Sequence, residues 1–122
     1  MALSVARFES TKLTYKLVEE TASTTTALID VTQDSGKIYS LSIENAASQT
    51  VFVKLTLTED TPVVGTTNPE MMFGVAAAAN VRWVMPDGVT FTKLSFWTSQ
   101  NAVKTDSTAP TGGNVKVSLT TS

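Results

Sequence analysis

The chain has 122 residues, which suits one domain with a core that needs no staples. It has no cysteine and no histidine, which excludes a disulfide framework, a thiolate nucleophile, a Ser-His-Asp triad and the usual zinc sites. Charged residues are 16% of the chain, the net charge is −2 and the basic residues are scattered, so nothing in the charge pattern attracts nucleic acid.

Residues 1–10 carry little pattern and are expected to form an N-terminal arm or short edge segment, ahead of one domain over residues 11–122. No secretory signal is evident there, and no apolar run approaches the roughly 20 residues of a membrane-spanning helix. Residues 11–17 alternate Leu13, Tyr15 and Leu17 against Lys12, Thr14 and Lys16, the period of a strand with a polar outer face. Residues 24–32 are rich in β-branched side chains and resume the pattern, with Ala27, Ile29 and Val31 on one side and Leu28 on the other. QDSG at 33–36 is a turn signal. Residues 37–44 then place Tyr39, Leu41 and Ile43 on one face.

The clearest alternation is QTVFVKLTLT, residues 49–58. Val51, Val53, Leu55 and Leu57 interleave with Phe52, Lys54, Thr56 and Thr58. The short link before it predicts an antiparallel hairpin between residues 37–44 and 49–58. Residues 59–69 hold two prolines and a glycine, and their length predicts a crossing between sheets. Residues 70–75 alternate Met71, Phe73 and Val75, and 76–79 are too few to nucleate a helix. Residues 80–85 read as a strand with Val81 and Trp83 on its core side, ended by a turn at Pro86-Asp87-Gly88. Residues 89–91 and 93–99 follow as strands, or as one strand with a kink, with Leu94, Phe96 and Thr98 facing one way. Trp97 faces the other way, with Lys93, Ser95 and Ser99. After a polar loop at 100–113, residues 114–120 bring Val115, Val117 and Leu119 to one face. About eight short strands without a helix define an all-β fold, an antiparallel β-sandwich of jelly-roll-like form.

Little in this pattern carries chemistry. Glu19 with Glu20, Glu59 with Asp60, and Asp30 with Glu44 are the carboxylate pairs that a glycosidase would need. Neighbours on a strand point to opposite faces and those on a loop are solvated, so no catalytic residue is assigned. Glu59, Asp60, Thr61 and Asp87 lack the ladder spacing of a calcium loop, and neither a metal nor a cofactor is expected. Phe52, Lys93 and Trp97 are the candidate interface residues. An aromatic on a polar strand face stacks on a sugar, fills a subunit contact, or lies beneath a loop or the N-terminal arm. Leu55→Asp is expected to be severe and Lys54→Ala mild, since Lys54 falls on the polar face.

Four segments occur in a telling order: QTVFVKLTLT, GTTNPEMMFGV, MPDGVTFTKLSFWTS and DSTAPTGGNVKVSLTT. Together they cover residues 49–120, and their order resembles that of small structural proteins of tailed bacteriophages. Members of that group carry a strand with a Val-Lys-Leu core, a Gly-Thr-x-x-Pro loop and a Pro-x-Gly turn before a Phe-containing strand. A Thr-Ala-Pro loop then precedes their last strand. Lys93 stands where they often have glycine. The resemblance implies a virion component, a capsid decoration or cement protein that binds the major capsid protein and is often a homotrimer. It also implies a place on the capsid surface; Met1-Ala2 and the lack of a signal suit synthesis in the host cytoplasm, and the charge pattern and hydropathy lead to the expectation of no nucleic-acid or membrane partner. A tail, neck or fibre protein is the related alternative. A carbohydrate-binding β-sandwich with Trp97 as its platform is the alternative from another class.

Overall fold

Period-two alternation becomes eight strands in the computed structural model, which describes residues 2–9 and 14–122. They are β1 (Leu3–Glu9), β2 (Thr14–Glu20), β3 (Gly36–Asn45), β4 (Val51–Thr56), β5 (Met71–Val75), β6 (Asn80–Phe91), β7 (Ser95–Ser99) and β8 (Val115–Thr121). Five of them form a sheet in the order β1-β2-β8-β3-β6, and three form a second in the order β5-β4-β7. Every pairing is antiparallel, and the described residues contain no helix. The two sheets pack as a sandwich. Leu41, Ile43, Val117 and Leu119 from one inner face meet Val53, Leu55 and Phe96 from the other, all at most 1% exposed.

Residues 24–31 lie along the free side of β7. Phe96 exchanges backbone hydrogen bonds with Leu28 (2.9 and 3.1 Å), and the Thr98 and Val31 amides donate to Thr24 and Leu94 (2.8 Å each). Counting that segment as a strand, β2-β8-β3-β6 faces (24–31)-β7-β4-β5, and all but one of the successive connections from β2 to β8 cross from sheet to sheet. This is the strand order of a jelly roll, with β1 added at one edge.

Several sequence expectations change. The hairpin of residues 37–44 with 49–58 does not form: both strands exist, but β3 lies in the larger sheet and β4 in the smaller. Alternation reports which face is apolar, and two apolar faces can meet across a core as readily as lie side by side. Asn45 makes the corner. It is 1% exposed, its Oδ1 accepts the Ala47 amide at 2.9 Å, and its Nδ2 donates to the carbonyls of Gln49, Val75 and Ala76. Conversely, residues 59–69 do not cross between sheets, because β4 and β5 are neighbours. Glu70 closes that loop by accepting from the Leu57 and Thr58 amides at 3.0 and 3.2 Å.

Residues 24–32 form one isolated bridge rather than a strand, since Asp30 and Gln33 take left-handed backbone angles (φ 48° and 59°). Leu28 there packs on the core and Ile29 is 46% exposed, against the expected faces, while Val31 is buried in the core. The turn at 86–88 is a bulge within one continuous strand. Ile38 pairs with Val89 and Ser40 with Val84, so residues 85–88 lie opposite Tyr39 alone. Gly88 supplies the left-handed angle (φ 75°), and a Cβ there would sit 2.9 Å from Lys37 Cβ. The same irregularity turns Ile38 into the core with Leu41, while Tyr39 meets Tyr15 edge-on at 5.7 Å. In β2 the faces are also reversed: Lys16 and Val18 point inward, Tyr15 outward. Lys16, 4% exposed, reaches Asp34 at 2.9 Å. Thr11, Lys12 and Leu13 of that expected strand lie outside the described residues, as do Met1 and Ser10 of the expected arm. Leu3–Glu9 itself is an edge strand, in unbroken register with β2.

Candidate functional site

The two long loops decide what becomes of the smaller sheet's outer face. Along β4, inward Val51, Val53 and Leu55 leave Phe52, Lys54 and Thr56 outward. Along β7, inward Phe96 and Thr98 leave Ser95, Trp97 and Ser99 outward. Lys54 lies directly opposite Trp97, and Phe52 opposite Ser99. This face is nevertheless dry: Lys54, Thr56, Ser95, Trp97 and Ser99 are all 0% exposed.

Residues 100–113 cover it. Lys54 Nζ donates to the Val103 carbonyl at 2.6 Å, and Ser99 Oγ donates to the Asn101 carbonyl at 3.2 Å. Farther along, the Ser48 amide donates to the Thr111 carbonyl at 3.0 Å, and the Gln49 amide group pairs with Thr111. Gly113 lies so tightly on the β3–β4 corner that a Cβ would come within 2.0 Å of the Ala46 carbonyl oxygen. The loop at 57–70 abuts this cover, with Gly65 near Thr105 and Ser107.

Of the candidate interface residues, Trp97 is thus buried beneath a loop of its own chain. Phe52 is half-buried; its ring lies over Gly74, the residue opposite it on β5, where a Cβ would come within 2.9 Å of the ring. Lys93 stands apart at the sheet's end and pairs with Asp60 at 3.0 Å, which raises its pKa. Trp83, read as core, packs on Phe73 with ring centroids 4.8 Å apart.

Sequence reading missed the burial of Lys54, and with it the basis for expecting Lys54→Ala to be mild. Desolvation lowers the Lys54 pKa, opposed by the weaker pull of Asp106. Asp106 is itself raised by burial, but hydrogen bonds from Thr108 and Asn101 more than offset this and leave it below its ordinary value. Trp97 Nε1 and Thr56 Oγ1 have no hydrogen-bond partner among the described residues. On the larger sheet, Glu20 also points inward and is 0% exposed; its Oε1 accepts the Ala2 and Ala22 amides at 2.8 and 3.1 Å.

The larger sheet's outer face mixes polar groups with exposed Tyr15 and Val84. Lys116 lies 3.3 Å from Glu19 and 3.7 Å from Glu44, and a shallow depression of about 370 Å³ runs past Ser42, Glu44, Arg82 and Ser118. Glu19 and Glu20 point to opposite faces, so they make no catalytic pair. Asp60 is engaged by Lys93, far along the chain from Asp87 in the β6 bulge. No three acidic side chains gather as a metal site among the described residues. At the edge of this sheet, Leu3 and Val5 of β1 share the inward face with Glu20 and Val18, yet are 41% and 43% exposed, because the smaller sheet does not reach them. No protein-family model, curated protein or solved structure matches the chain.

Proposed function

We propose that the chain is a structural subunit of a tailed-phage virion, of the capsid-decoration type, which associates with copies of itself and binds the major capsid protein. The motif order over residues 49–120 supports the class. The observation that carries the association is the β1 edge. It is a seven-residue strand in unbroken register with β2, no strand among the described residues pairs with its other side, and Leu3 and Val5 project beyond the cover of the smaller sheet. A regular edge strand that leaves Leu3 and Val5 exposed is a template for pairing with another chain. On this reading a neighbouring copy covers the edge. Trp97 lies under residues 100–113, so the sugar-platform alternative has no exposed aromatic there to stand on.

Light scattering on the purified chain tests the association. The expected mass is a multiple of 13.0 kDa, shifted toward the monomer by Val5→Lys. A parent chain that stays monomeric at high concentration and fails to co-sediment with shells lacking it refutes the proposal.

A further inference from the structure

We propose that residues 100–113 act as a hinged strap over the smaller sheet. Its first half opens at Lys54 and uncovers Trp97 while the sandwich stays folded. This holds independently of what the chain binds.

The two halves of the strap are fastened very differently. Residues 109–113 are tied to the β3–β4 corner through Thr111, Ser48, Gln49 and the close approach of Gly113 to Ala46. Residues 101–105 are all exposed, and Val103 presents a side chain that is 63% exposed, so it is its carbonyl that Lys54 grips. Ser99 Oγ adds one more tie, to the Asn101 carbonyl at 3.2 Å, and the other bonds in this half are internal: Asp106 accepts from the Asn101 amide at 3.1 Å and from Thr108 Oγ1 at 2.9 Å, and the Asp106 amide donates to the Val103 carbonyl. A segment with so few buried apolar contacts opens well below the free energy of global unfolding.

Beneath it the closed state is polar and under-bonded. Among the described residues, the buried ammonium makes one hydrogen bond, and the Trp97 indole N–H and Thr56 hydroxyl make none. Opening hydrates all three, which offsets the exposure of the indole ring. The core on the other side of β4 and β7 is untouched by this motion, because Val53, Leu55 and Phe96 face inward.

Hydrogen exchange on the unmodified chain decides the matter. The Trp97 indole N–H and the strap amides of residues 101–106 are expected to exchange together, roughly 100-fold or more faster than the β4 amides. Asp106→Ala, which loosens the strap without touching the sheet, is expected to speed both by about tenfold or more and leave β4 unchanged. An indole N–H that exchanges in step with β4 overturns the proposal. So does an exchange rate at Trp97 that Asp106→Ala leaves unaltered while the variant keeps the parent's far-ultraviolet spectrum.

Discussion

Truncating Lys54 separates the packing of its stem from the cost of its charge. Lys54→Ala removes three methylenes from a side chain that is 0% exposed. At about 0.8 kcal/mol per buried methylene, this loses about 2.4 kcal/mol. The hydrogen bond to the Val103 carbonyl, made by a charged donor at 2.6 Å, contributes about 1.5–3 kcal/mol more. Releasing the ammonium from its desolvated site returns part of this, so the net destabilisation should be about 2–4 kcal/mol. Lys54→Met keeps most of the stem and discards the charge, and should remain within about 1 kcal/mol of the parent. Urea unfolding followed by far-ultraviolet circular dichroism measures both, with an unchanged slope confirming that the unfolded state is not the cause. If Lys54→Ala falls within about 0.5 kcal/mol of the parent, as surface substitutions do, the side chain is solvated and the covered face is wrong.

Other outcomes follow from the same packing. Leu55→Asp places an unpaired carboxylate at a site 1% exposed and should abolish cooperative thermal unfolding. Asn45→Ala strips the corner of its hydrogen bonds to Ala47, Gln49, Val75 and Ala76 and should cost about 2–4 kcal/mol in the same urea assay. Gly113→Ala should be at least as damaging as Asn45→Ala, because the clashing atom belongs to the Ala46 backbone and cannot swing aside. The lowered Lys54 pKa fixes a sign in alkali. The unfolded chain holds this proton up to 10.5 and the folded chain releases it earlier, so the unfolded state binds more protons in that window. Stability should therefore rise with pH between the folded value and 10.5, and the difference between parent and Lys54→Met should carry that rise.

Which residues form strands was largely legible, and which strands become neighbours was not. Val51, Val53, Leu55, Val115, Val117 and Leu119 all point inward as their spacing indicates, because one-sided burial fixes the face. The same spacing says nothing about pairing, so β3 and β4 looked like a hairpin until Asn45 proved to turn the chain between sheets. Pro86-Asp87-Gly88 has the residues of a turn, yet β3 continues to pair on both sides of it and makes it a bulge. In β2 the single Val18 sets the register and carries Lys16 inward, against the hydrophobicity of Tyr15 and Leu17. The burial of Lys54 and Trp97 arises from a loop some fifty residues away from β4 in sequence, whose polar composition gives no sign of what it covers. Gly74 opposite Phe52 is the one local hint that an aromatic ring lies across that face.

Imaging of intact particles tests the assignment as a shell-binding subunit most directly. The account expects sandwich-shaped density on the outer surface of the capsid, in contact with the major capsid protein and with β1 set against a neighbouring copy. Particles that hold no such density, with the chain found only free and monomeric, would contradict it.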